Sequence, residues 1–154
     1  MNEREFVQIA EEEWKRVPAR YRSRIENLAL LIEDEPSPEV REEEELLPEE
    51  TLLGLYRGIP LVHRGSEYGV GMTLPDTITL YRLPIIEEAE EMDRAFRDAI
   101  RIVIRETLWH EVAHYFGFEE DEVNQREKEG TNGYPTTRPE GESGREEGEK
   151  KVIG

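Results

Sequence analysis

From Thr107 to Val123 the chain reads TLWHEVAHYFGFEEDEV, placing His110 and His114, two of its three histidines, four residues apart with Glu111 directly after the first. Upstream, Phe96, Ile100, Val103 and Thr107 recur at spacings of four and three and lead into the same two histidines. That period predicts a helix running through the motif, with both imidazoles one above the other on one face. Gly117 follows as the natural place for a left-handed turn to end it. Whatever fold the chain adopts must therefore seat a long helix, apolar on one stripe, whose last turns carry the chemistry.

His-Glu-x-x-His is the spacing at which two imidazoles converge on one metal ion while the intervening carboxylate stands beside them as a general base. There is no cysteine, so a metal must be held by nitrogen and oxygen ligands. Two histidines on one helix leave a third ligand to be found. Beyond Gly117 come Glu119, Glu120 and Asp121, where one carboxylate can swing back toward the ion; Glu120 is the first choice and Asp121 the alternative. His63, in an expected strand beside a turn, is the remaining nitrogen. Against this stands a plainer reading, in which His110 and His114 are ordinary helix-core residues and the spacing is coincidence.

The rest of the chain alternates helix and strand signals. Phe6, Ile9, Ala10, Trp14 and Val17 form an apolar stripe over Glu3 to Val17 that Pro18 ends. NLALLIE, from Asn27 to Glu33, is short and almost continuously apolar, as in a strand buried on both faces. Glu33 to Glu50 carries ten acids and one base, Arg41, together with Pro36, Pro38 and Pro48, and reads as a solvated loop with at most one irregular turn. Gly- and Pro-bounded segments follow: LLGLYRG, PLVHR and GVGMTLPDTITLYRLP. In TITLYR, Ile78 and Leu80 should face the core while Thr77, Thr79 and Tyr81 face water. A short acidic helix is expected over about Glu119 to Glu129, and from Gly130 the chain is nearly devoid of apolar residues. The organisation is thus one domain over residues 1–129 and a flexible polar tail over 130–154.

A formal net charge of −17 repels phosphate backbones and anionic membrane surfaces, which excludes nucleic acid and lipid as main partners. The charged N-terminus lacks a secretory pattern and no apolar run would cross a bilayer, so a cytoplasmic location is expected. Glu and Arg dominate the charges while Asn and Gln are scarce, a bias of proteins that work hot.

ENLALLIEDEPSP, LLGLYRGIPLVHR, LPDTITLYRLPI and HEVAHYFGFEEDEV, in this order and spacing within about Phe6 to Lys128, resemble the small bacterial zincin-like metallopeptidases called minigluzincins or minimal matrix-metalloprotease-like domains. The resemblance implies an α+β fold in which a short twisted sheet packs on a few helices, with the motif helix under a cleft. It also implies Zn2+ at His110 and His114, Glu111 as base, and an acidic third ligand soon after the glycine. The methionine turn of larger metzincins is absent, since Met1, Met72 and Met92 all precede the motif.

Zinc lowers the pKa of a bound water from about 15.7 toward about 7, and Glu111 would take its proton while a peptide carbonyl is attacked. The substrate would be a peptide or unfolded segment, paired with the outward edge of the Thr77 to Arg82 strand. Tyr115 and Tyr81 are candidate oxyanion donors by their place in the sequence, with packing the expected role of each, while Trp109 and Phe116 are assigned to the core. The alternative is a non-catalytic metal-binding protein that acts through its acidic surface.

Overall fold

The computed structural model describes residues 1–58 and 75–117, together with the main chain of 151–152. Helix α1 spans Glu3–Trp14, with the Asn2 side chain accepting from the Glu5 N–H at 2.9 Å to cap its start. A short helix, α2 (Ala19–Arg22), follows Pro18. Strand β1 (Leu28–Glu33) leads to α3 (Pro38–Glu43), β2 (Thr51–Leu52) and β3 (Gly54–Arg57). Strand β4 (Asp76–Tyr81) runs straight into α4 (Arg82–Glu90), whose Pro84 sits in the first turn, where a missing N–H leaves no helix bond unmade. Among the described residues helix α5 (Phe96–Tyr115) is the longest element, and β5 (Lys151–Val152) pairs in parallel with β2.

The main sheet has the order β1-β4-β3, with β1 parallel and β3 antiparallel to the central β4. Ile78 and Leu80 of β4 join the main core, which α5 fills with Ile100, Val103, Ile104, Leu108, Trp109 and Val112. Helix α1 closes that core with Phe6, Ile9 and Ala10. Its inner face also buries Glu13, which accepts from Arg105 Nε at 2.7 Å and Arg101 at 3.2 Å on α5. The expected α+β fold, a short sheet packed on a few helices, is the one found.

Three local expectations are corrected. Strand β1 is not buried on both faces: it forms an edge of the sheet, and Leu31 is 42% exposed. Conversely β4 has no fully wet side, for Thr79 and Tyr81 are buried. The reason lies in the acidic run, which is more than a loop. Ser37 caps α3 by accepting from the Val40 N–H at 3.2 Å, and Val40 and Leu46 then pack on Leu52, Leu55 and Tyr81. Arg41, the single base of that run, donates to the carbonyls of Leu47 and Glu50, each at 2.8 Å, and so closes the segment on itself. Charge counting sees the ten carboxylates and misses the two apolar residues that cover the sheet.

The expected strands at PLVHR and GVGMTLP, the acidic helix after Gly117 and the boundary between residues 129 and 130 lie outside the described residues. Among the described residues no helix is long and apolar enough to cross a membrane.

Candidate active site

Helix α5 carries the motif through its last two turns. His110 is buried at 7% exposure, Glu111 is completely buried and His114 is half-buried. The helix stops where the glycine predicts: Gly117 has φ +85° and its N–H donates to the His114 carbonyl at 2.9 Å. The two imidazoles therefore lie one turn apart at the carbonyl end of a 20-residue helix. The partial negative charge of that end favours a cation.

Glu111 is fixed from across the fold. In the antiparallel ladder, Tyr81 N–H donates to the Leu53 carbonyl at 2.9 Å, so alternation turns the main-chain groups of Gly54 and Tyr56 away from β4 toward the far edge of β3. There the Tyr56 N–H donates to Glu111 Oε2 at 2.7 Å. The helix reaches the strand this closely because residue 54 has no side chain. A Cβ on Gly54 would stand 2.6 Å from Thr107 Cγ2 and 3.1 Å from the Thr79 carbonyl oxygen, with Glu111 Cγ at 3.5 Å. The Tyr56 hydroxyl donates to Asp76 Oδ2 at 2.7 Å, and its ring meets the Tyr115 ring edge-on at 6.0 Å.

Of the residues singled out in the sequence, His110, Glu111 and His114 come together on α5. Glu119, Glu120, Asp121 and His63 lie outside the described residues, and among the described residues no three His, Asp or Glu side chains form a metal-binding group. The donors in place, two imidazoles and no thiolate, suit zinc, with one or more positions left for ligands from elsewhere.

Tyr115 takes the packing role expected of it and not that of an oxyanion donor: it is fully buried, and its hydroxyl both accepts from the Glu26 N–H at 3.0 Å and donates to the Glu26 carbonyl at 3.2 Å. It fastens the end of α5 to the entry of β1. Tyr81 lies in the small cluster on the sheet face opposite the main core. Trp109 and Phe116 pack against Tyr21, as expected of core residues. Residues the sequence reading missed are Gly54, Tyr56 and Asp76. One signal did point at them, since an isolated glycine inside a strand pattern marks close approach of another element.

A family model for zincin-like metallopeptidases matches residues 25–130, a span that contains the sheet, α5 and the motif. The chain belongs to the zincin-like metallopeptidase family. Members of this family generally bind zinc, and the family assignment makes metal-assisted peptide hydrolysis the expected class of chemistry. No curated protein matches the sequence. A solved structure of a conserved hypothetical protein from Thermo thermophilus is similar at 21% identity, covering 81% of this chain and 99% of that one, with a TM-score of 0.45.

Proposed function

We propose that this zincin-like protein is a zinc-dependent peptidase in which Glu111 is the general base. The observation that carries this reading is the placement of Glu111: a completely buried carboxylate beside His110 and His114 on the same helix, held by a main-chain N–H of the sheet edge. His110 and His114 would hold the metal, with Glu120 as third ligand and Asp121 as the alternative. When bound, zinc supplies an acidified water and a Lewis acid for the scissile carbonyl.

The protein's own residues do the rest. Glu111 accepts a proton from the attacking water and returns it to the leaving amine. Tyr56 N–H fixes one carboxylate oxygen so that the other is presented in a constant direction. An extended peptide or unfolded segment would lie along β3. The edge of β4 expected from the sequence cannot serve, because β1 and β3 occupy both of its sides. The outward main-chain groups beside Gly54 are the ones a substrate strand would meet.

The first test is metal content. Protein loaded with zinc and dialysed should retain about one zinc per chain by elemental mass spectrometry, and His114→Ala should lose it. The loaded protein should then cleave members of a peptide library. Absence of zinc in both proteins would sink the reading and turn attention to partners of the acidic surface.

A further inference from the structure

We propose that Tyr56 and Asp76 form a positioning pair that sets the direction of the Glu111 carboxylate; the inference rests on the reading of Glu111 as general base. Tyr56 of β3 touches α5 in two ways. Its main-chain N–H donates to Glu111 Oε2 at 2.7 Å, and its ring packs edge-on against Tyr115, one turn further along the same helix. Its hydroxyl reaches back across the sheet to Asp76 Oδ2 at 2.7 Å.

The ladder turns that N–H outward, since it shares a peptide plane with the Leu55 carbonyl paired to Thr79, but it does not fix how β3 stands against α5. Tyr56 faces Ile78 in a pair whose main-chain groups point away from each other. Leu55 and Arg57 hold the strand to β4, while the Tyr56 side chain, gripped by Asp76 and packed on Tyr115, sets how β3 stands against α5. Asp76 is a firm anchor for that grip. It is buried at 5% exposure, and its own N–H donates to the Asn27 carbonyl at 2.9 Å, tying it to the start of β1. Beyond the strand, Gly58 has φ +152° and lies so close that any Cβ there would collide with the Asp76 carboxylate.

Burying a carboxylate is costly unless its contacts are used. Here the use is a chain of contacts: Asp76 holds the Tyr56 hydroxyl, the Tyr56 ring meets α5 at Tyr115, and the Tyr56 N–H thereby meets Glu111 at a set distance. Groups that orient a reacting side chain without touching substrate act in this way. Tyr56 and Asp76 are thus positioning residues.

The test uses zinc-loaded full-length protein and three variants: Tyr56→Phe, Asp76→Asn and Asp76→Ala. Three quantities are read, namely amide hydrogen exchange at position 56, kcat and KM on a cleaved peptide, and zinc content. Tyr56→Phe should speed exchange at position 56 by about tenfold and lower kcat by about tenfold. KM should stay within about twofold and zinc at about one per chain. Asp76→Asn, which keeps an acceptor oxygen, should retain more kcat than Asp76→Ala; that partial rescue separates positioning from simple support of the sheet. Should Tyr56→Phe fold poorly, the Asp76 pair carries the same comparison.

Unchanged exchange and kcat in an otherwise active protein would overturn the positioning role alone. Faster exchange with unchanged kcat would overturn it too, by showing that the contact exists and catalysis ignores it. A wild-type protein that holds zinc yet cleaves nothing would overturn the peptidase reading and this role with it.

Discussion

Two glutamates among the described residues are completely buried on helices, Glu13 and Glu111, and they are met in opposite ways. Glu13 of α1 faces guanidiniums: Arg105 at 2.7 Å and Arg101 at 3.2 Å, with Arg16 at 3.5 Å just past the end of its own helix. Glu111 of α5 faces the end of a peptide dipole, the Tyr56 N–H, and flanks two imidazoles. Guanidiniums that surround a carboxylate tie its oxygens to the elements that carry them; their product is a clamp between helices. A main-chain donor orients a carboxylate without bringing a full countercharge, which suits a group that must take and return a proton. Burial by itself therefore says little about role, and the partner decides.

Exchanging one carboxylate oxygen for an amide at each site breaks this comparison most sharply. Glu111→Gln should keep its zinc and lose peptide hydrolysis by about a thousandfold or more, since proton transfer by a positioned base contributes on the order of a hundred- to ten-thousandfold. Glu13→Gln should keep kcat and lose stability. Removing one partner of a buried ion pair costs about 3–5 kcal/mol, and the partly exposed Arg101 brings the expectation down to about 2 kcal/mol. Calorimetry and a peptide assay on the same two variants read both effects. Equal loss of activity in the two would erase the distinction.

Gly54→Ala tests whether helix and strand must approach as closely as they do. The added methyl would press on Thr107 Cγ2 at 2.6 Å and on the Thr79 carbonyl oxygen at 3.1 Å, and overpacking of this kind costs about 1–3 kcal/mol. Because Glu111 stands beside the same point, the variant should also lose roughly tenfold in kcat with its zinc intact. A variant as active and as stable as wild type would show that α5 yields there without disturbing Glu111.

Much of this was legible in the chain. Periodicity located α5 and its terminating glycine because both follow from local geometry, and the i, i+4 histidines come with the helix. The order β1-β4-β3 was not legible, since a central strand and an edge strand differ in their neighbours more than in their own residues. LALLIE is richer in aliphatics than DTITLY, yet it is the edge. The acidic run misled for a related reason: Val40 and Leu46 are apolar residues in a charged stretch, and only the assembled sheet gives them a surface to cover. Glu111 could be named from its motif, whereas its partner Tyr56 lies 55 residues away and contributes a main-chain group that almost any residue possesses.

Tyr81 extends the comparison to a buried ionisable group kept neutral. It is 1% exposed, beneath the segment that contains α3, and its phenol pKa is pushed up to about 12, first by burial and then by the carboxylate of Glu33. A raised acid pKa means that the folded state favours the protonated phenol. The stabilising contribution is complete below pH 10, the ordinary value in an unfolded chain, and is lost as the pH rises through about 12. Across that window wild type should lose up to about 1.4 kcal/mol per pH unit relative to Tyr81→Phe, which has no proton to release. Below pH 10 the gap between the two proteins should be constant. Chemical denaturation of both proteins from about pH 8 to about pH 12 reads the difference directly, and other tyrosines cancel from it. A gap that stayed flat above the ordinary phenol value would mean that the phenol ionises as readily in the fold as outside it, and that the cover provided by Val40 and Leu46 admits water.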